Sequence, residues 1–226
     1  MNMKHLFLSL SILFLCTGLN AQAQAPKEKS DPEAKKVLDK VRRSYESYKS
    51  MDAGFDLRIE IPGEPATTQK GKISQDGEKF RLEMDQQTIV TDGTTTWVYL
   101  KANKEIQISD YDPQDLENGF MSPKQLLSRY QKGDFLYTIS DKITENGKVL
   151  TQIEFKPVDR NSEYIKIRIT IDEKANRLVR MKAFARDGSR YTFSFTSFVP
   201  NKTFSSTHFK INTKDYPGVH VEDLRM

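Results

Sequence analysis

Residues 89–100 constrain the fold of this chain more than any other stretch. Two β-branched and aromatic runs flank Asp92-Gly93, a dipeptide that accepts the positive φ angles of a tight turn, so the segment reads as a β-hairpin. Its neighbours repeat the pattern. Phe55, Leu57, Ile59 and Ile61 alternate with Asp56, Arg58 and Glu60, and the run stops at Pro62-Gly63, so this strand has one dry and one wet face. Phe80, Leu82 and Met84 alternate with charges in the same way, as do Ile165, Ile167, Ile169 and Ile171, while Tyr191, Phe193 and Phe195 alternate with Thr and Ser. Short links, among them Gln75-Asp76-Gly77, Glu145-Asn146-Gly147 and Asp187-Gly188, connect successive strands and imply an antiparallel meander rather than βαβ units. The count is roughly ten or eleven strands, the last of them in the tail around Pro217-Gly218.

Two segments depart from the period of two. Asp31-Pro32 is an N-cap followed by proline at the first helical position. Ala34, Val37, Leu38, Val41, Tyr45 and Tyr48 then recur at helical spacing, which predicts an amphipathic helix over residues 32–49. Residues 111–132 carry two further helix starts, Asp112-Pro113 and Ser122-Pro123, and offer Phe120, Met121, Leu126 and Leu127 as apolar contacts. A link of that length with its own helices is more often functional than a plain connection, and it is read here as a lid.

The N-terminus supplies an address. Lys4 precedes an apolar run over residues 6–19, too short to span a bilayer, and small residues follow at Ala21 and Ala23, so residues 1–23 read as a cleaved secretory signal. Residues 24–31 are polar and read as a flexible leader, and residues 32–226 as one domain. Leu15 stands before Cys16 where a lipobox would place a small residue, which favours a cysteine discarded with the signal. Without it the exported chain has no cysteine, and disulfides, thiol catalysis and cysteine-bound metals are excluded together. The formal charge of +4, which drops by one when Lys4 leaves, is too diffuse for a nucleic-acid footprint.

Catalytic signatures are lacking. The exported chain has His208 and His220, far apart and without partner motifs, and it has no phosphate loop, nucleophile elbow or paired His-Glu helix. The chain therefore reads as a non-enzyme with no cofactor and no metal. What stands out is the amount of apolar surface on one side of so many strands, for which a filled core and a ligand cavity are equally open. The faces bearing Phe55, Leu57, Ile59, Phe80, Leu82, Met84, Ile165, Ile167, Phe193 and Phe195 are expected to line one apolar surface. Trp97 and Tyr99 are set with them, although both alternating sets of their strand are apolar.

Several runs resemble the periplasmic outer-membrane lipoprotein carrier family known as LolA: Val37-Leu38-Asp39-Lys40-Val41, Gly71-Lys72-Ile73, Lys79-Phe80-Arg81-Leu82-Glu83, Val90-Thr91-Asp92-Gly93-Thr94-Thr95-Thr96-Trp97-Val98-Tyr99, and the ending from Phe209-Lys210-Ile211 through Pro217-Gly218-Val219 to Val221-Glu222-Asp223. The resemblance implies a half-open antiparallel β-barrel whose apolar cavity, lidded by helices, receives lipoprotein acyl chains. It also implies a monomer in the periplasm that takes its cargo from an inner-membrane ABC transporter and passes it to an outer-membrane acceptor. One departure is visible: where the family often has Arg-Pro before the Lys-Phe-Arg run, this chain has Gln75-Asp76-Gly77. Two alternatives remain, a lipid or lipoprotein sensor of the same fold, and a membrane-anchored acceptor if Cys16 is lipidated.

Overall fold

The structure, a computed structural model, describes residues 29–112, 127 and 130–225. Helix α1 (Pro32–Ser47) begins as its sequence dictates. The Asp31 carboxylate accepts from the Glu33 N–H and proline occupies the first turn, so the exposed donors of the helix start are partly satisfied. The helix ends two residues earlier than its spacing suggests because Tyr48 is already extended.

Twelve strands among the described residues form one sheet: β1 (Ser50–Glu60), β2 (Thr67–Asp76), β3 (Lys79–Met84), β4 (Gln87–Thr91), β5 (Thr95–Leu100), β6 (Glu105–Asp110), β7 (Phe135–Glu145), β8 (Lys148–Pro157), β9 (Tyr164–Asp172), β10 (Arg177–Ala185), β11 (Arg190–Pro200) and β12 (His220–Asp223). Their order is β12-β6-β5-β4-β3-β2-β1-β11-β10-β9-β8-β7. Two antiparallel meanders, β1 to β6 and β7 to β11, are thus joined by the central pair β1 and β11, and β12 returns to lie parallel on β6. The end strands do not pair with each other, so the sheet is an open half-barrel.

The hairpin of β4 and β5 is present, with Thr91 opposite Thr96. One oxygen of Asp92 accepts from the N–H groups of Thr94 and Thr95 and from the Thr94 hydroxyl, while Gly93 takes φ 91°, the self-bonded turn that Asp followed by Gly favours. The exposed edge of β7 is partly covered by the residues just before α1. The Asp31 N–H donates to the Tyr137 carbonyl at 2.8 Å, and Ser30 and Asp31 side chains accept from Tyr137 and Ile139 N–H groups. The end of the expected flexible leader is therefore fastened, because an open strand edge offers it backbone partners.

Candidate functional site: the inner face of the sheet

The face on which α1 lies is built by alternation along the strands. Across the first meander Ala53, Ile73, Leu82, Ile89 and Val98 stand opposite one another on five successive strands. Across the second, Leu57, Phe193, Met181, Ile169, Ile153 and Ile139 do the same. Helix α1 buries Ala34, Val37, Leu38, Val41 and Tyr45 against Tyr137, Phe155, Ile167, Ile169 and Leu178 of the second meander. Tyr45, Tyr48 and Phe198 close one end of this packing as a triangle of rings with centroids 5.7 Å apart.

The other part of the inner face is less covered. Phe55, Leu82 and Phe193 are buried in a second cluster with Met51, Ala53 and Ile73, whereas Leu57, Phe80, Met84, Ile89, Met181 and Phe195 are only half-buried against it. At the far end Ile59, Tyr164, Ala183 and Tyr191 are also half-buried. The Phe55 ring lies over Gly71, its strand partner, and stacks on Phe193 at 4.4 Å; a Cβ at residue 71 would come within 2.3 Å of it, so glycine is required there to admit the ring.

Nine of the twelve strand residues expected to line the apolar surface stand on this face, and a tenth, Ile165, is displaced. A register irregularity sets Phe184 opposite Lys166 but Ala185 opposite Tyr164, leaving Ile165 as the extra residue, 50% exposed. Tyr164 takes its place against the core, because an extra residue in one strand shifts all beyond it by one position and so reverses their faces. Trp97 and Tyr99 are corrected more thoroughly. Asp52, Ser74, Arg81, Val90, Trp97 and Ile108 form one register row, adjacent to the inner row and so on the opposite face. There Val90, Ile106 and Ile108 are buried with Phe209 and Ile211, and Trp97, Tyr99, Phe204, Tyr216 and Val219 pack around them. Of the residues assigned to a lid, Leu127 is helical and 1% exposed in the cluster with α1; Phe120, Met121 and Leu126 lie outside the described residues. Nearby, the Tyr130 hydroxyl donates to Asp39 of α1 at 2.7 Å.

Sequence reasoning missed Ile89, Met181 and Ala183 on the inner face. The alternation of Met181 and Ala183 with Arg180 and Lys182 carried the signal for two of them. It also missed the C-terminal cover of the outer face, although two apolar sets on one strand already mean that both sides are covered.

The polar groups of the site's surroundings lie on the outer face. Asp52 is 7% exposed and is contacted by Lys202, Lys72 and the Ser74 hydroxyl. Burial pushes its pKa up, but these donors outweigh burial and hold the carboxyl below the ordinary range. Arg81 bonds Glu83 at 2.7 Å and donates to the His208 carbonyl at 3.2 Å. It therefore braces the C-terminal segment and does not reach the inner face. No group of metal-ligating side chains gathers among the described residues, and none of their helices is long and apolar enough to cross a membrane.

Residues 50–212 match the model of the family described as outer membrane lipoprotein carrier protein LolA. The chain belongs to this family. The match runs from the first residue of β1 to just past Ile211 on the outer-face cover, and α1 and β12 lie outside it. An outer-membrane lipoprotein carrier protein of Aliivibrio salmonicida is 26% identical over 141 residues, covering 62% of this chain and 64% of that protein. An uncharacterized protein of Methanocaldococcus jannaschii is 29% identical over 177 residues, 77% of this chain and 49% of that protein. The chain thus spans between about half and two thirds of the length of these curated relatives. An uncharacterized conserved protein of Thermus thermophilus shares the fold, with TM-score 0.55 and 11% identity over 86% of this chain and 99% of that one.

Proposed function

We propose that this chain is a periplasmic carrier that shields the acyl chains of lipoproteins on its inner face. In this reading it receives them from an inner-membrane ABC transporter and delivers them to an outer-membrane acceptor, without making or breaking a bond. The observation that carries the reading is the uneven cover of the inner face: α1 packs on the second meander, while Leu57, Met84, Ile89, Met181 and Phe195 remain half-buried beside a buried aromatic floor of Phe55 and Phe193. Membership of the lipoprotein-carrier family supports the choice of ligand.

The energetics suit such a task. Each methylene withdrawn from water is worth about 0.8 kcal/mol, so a long acyl chain exposed to the periplasm forfeits on the order of 10 kcal/mol. A half-buried surface recovers part of that and leaves release possible, whereas a fully filled core would offer nothing. The residues given the acyl-chain role are therefore Phe55, Leu57, Phe80, Leu82, Met84, Phe193 and Phe195, with Met181 and Ile89 added. Leu57→Glu with Met181→Glu places two charges at the middle of this surface, and uptake of a fluorescent fatty-acyl probe should fall at least tenfold while the β-sheet circular dichroism is retained. Unchanged uptake would remove the inner face from consideration. Mass spectrometry of the exported N-terminus separates a carrier cleaved after residue 23 from an anchored protein acylated at Cys16.

A further inference from the structure

The outer face of the sheet is divided. Over the first meander it is covered by the C-terminal segment; over the strands from β8 to β1 it carries exposed and half-buried charged side chains. Two register rows run across it. In one, Lys166, Phe184, Arg190 and Glu60 stand side by side; in the next, Glu154, Arg168, Lys182, Thr192 and Arg58. Each carboxylate is shared by two cations: Glu154 meets Lys166 at 3.0 Å and also Arg168, and Glu60 meets Lys182 at 3.4 Å and Arg58 at 3.8 Å. Lys166, Arg168 and Lys182 also converge on the Phe184 ring, 4.9, 5.6 and 5.5 Å from its centroid. Five cations against two carboxylates leave an excess of three positive charges in these two rows. Cations dispersed along the sequence are therefore gathered by strand pairing into one patch.

We propose that this patch, on the face opposite the one given to the ligand, is a docking site for an acidic surface of a partner protein. Ion pairs hold Arg58, Lys166, Arg168 and Lys182, and the Phe184 ring lies under the last three, so a partner's carboxylates meet donors that are already ordered. The excess charge steers approach and selects an anionic partner. A protein fits better than a bilayer. The apolar side chain of these two rows, Phe184, is half-buried under cations and cannot enter the acyl region, and the patch lies on the convex side of a curved sheet, which meets a flat membrane along a line.

The test uses the purified protein and a labelled decaglutamate peptide, read by fluorescence anisotropy at low and moderate salt. Vesicles of phosphatidylglycerol form a second arm. The variant Arg58→Gln, Lys166→Gln, Arg190→Gln removes the excess and leaves one cation on each carboxylate, so no buried charge is stranded. A control, Lys40→Gln, Arg43→Gln, Lys49→Gln, removes the same charge from exposed positions on and just after α1. The patch variant should bind the peptide at least tenfold more weakly, with a shallower salt dependence, and the control should change less than about twofold. Equal losses in both variants, an unaffected patch variant, no peptide binding, or vesicle binding stronger than peptide binding would each overturn the proposal. Uptake of the acyl probe by the patch variant should be unchanged, so failure here is distinguishable from failure of the carrier reading.

Discussion

Substituting Gly71 by alanine tests how the inner face is constructed. Gly71 is in a regular strand with no positive φ, so alanine is allowed by the backbone and would gain several tenths of a kcal/mol by restricting the unfolded chain. The side chain opposes this. A Cβ would lie 2.3, 2.7 and 2.8 Å from three carbons of the Phe55 ring, and ordinary contact begins near 3.4 Å, so the ring must retreat by more than an ångström. It has little room, being 2% exposed and stacked on Phe193 at 4.4 Å. Overpacking of this kind costs about 1–3 kcal/mol, and about 2 kcal/mol lowers Tm by about 4–8 °C in a domain of this size. The assay is thermal and urea unfolding of Gly71→Ala, Phe55→Leu and the double variant. If the ring is the cause, Gly71→Ala should cost clearly less on the Phe55→Leu background, giving a coupling of about 1 kcal/mol or more. A neutral or stabilising Gly71→Ala, or additive effects, would refute the reasoning.

Two further predictions concern the faces of β9 and the half-buried His208. Ile165→Ala should change stability by less than about 0.5 kcal/mol, whereas Ile167→Ala should cost about 2–5 kcal/mol, because the first is 50% and the second 3% exposed; comparable losses in urea unfolding would mean that Ile165 faces the core. His208 stacks on Phe204 at 4.6 Å, its Nε2 is buried without a hydrogen-bond partner, and burial with the neighbouring Arg81 and Lys72 outweighs Glu83 and Asp52 to hold its pKa below the ordinary 6.5. The unfolded chain therefore binds a proton at higher pH than the folded one, so this contribution is complete above about pH 6.5 and is lost as the pH falls through and below it. Thermal unfolding between pH 5 and 8 should show this loss in the parent and not in His208→Phe; parallel curves would count against an imidazole that the fold keeps neutral.

The parts of the fold legible in the sequence are those set by short-range chemistry. Asp31-Pro32 marked the helix start, Asp92-Gly93 the hairpin, and alternating charges placed Phe55, Leu82 and Phe193 on one face, because each signal spans only a few residues. What escaped depends on long-range pairing. No local pattern distinguishes Ile165 from Ile167; the irregularity that separates them arises where β9 meets β10. Likewise, Trp97 and Tyr99 are placed by a segment more than a hundred residues later. The basic patch was hidden for the same reason, since Arg58, Lys166, Lys182 and Arg190 are dispersed along the chain and adjacent only after pairing.

The two meanders are braced on opposite sides, an arrangement that suits the proposed carrier role. The second meander is held by α1, which fills the inner face with Leu38, Val41 and Tyr45. Had the first meander been braced in the same way, its apolar residues would be core and no surface would remain for a ligand. Its brace is instead outside, where Phe204, Phe209, Ile211, Tyr216 and Val219 cover Val90, Trp97, Tyr99, Ile106 and Ile108. Each fully buried side chain there contributes about 1.5–3 kcal/mol to holding these strands together. The sheet can then keep Leu57, Met84 and Ile89 half-buried without losing its shape, which explains why a face that is charged on the neighbouring strands turns apolar at β4 to β6.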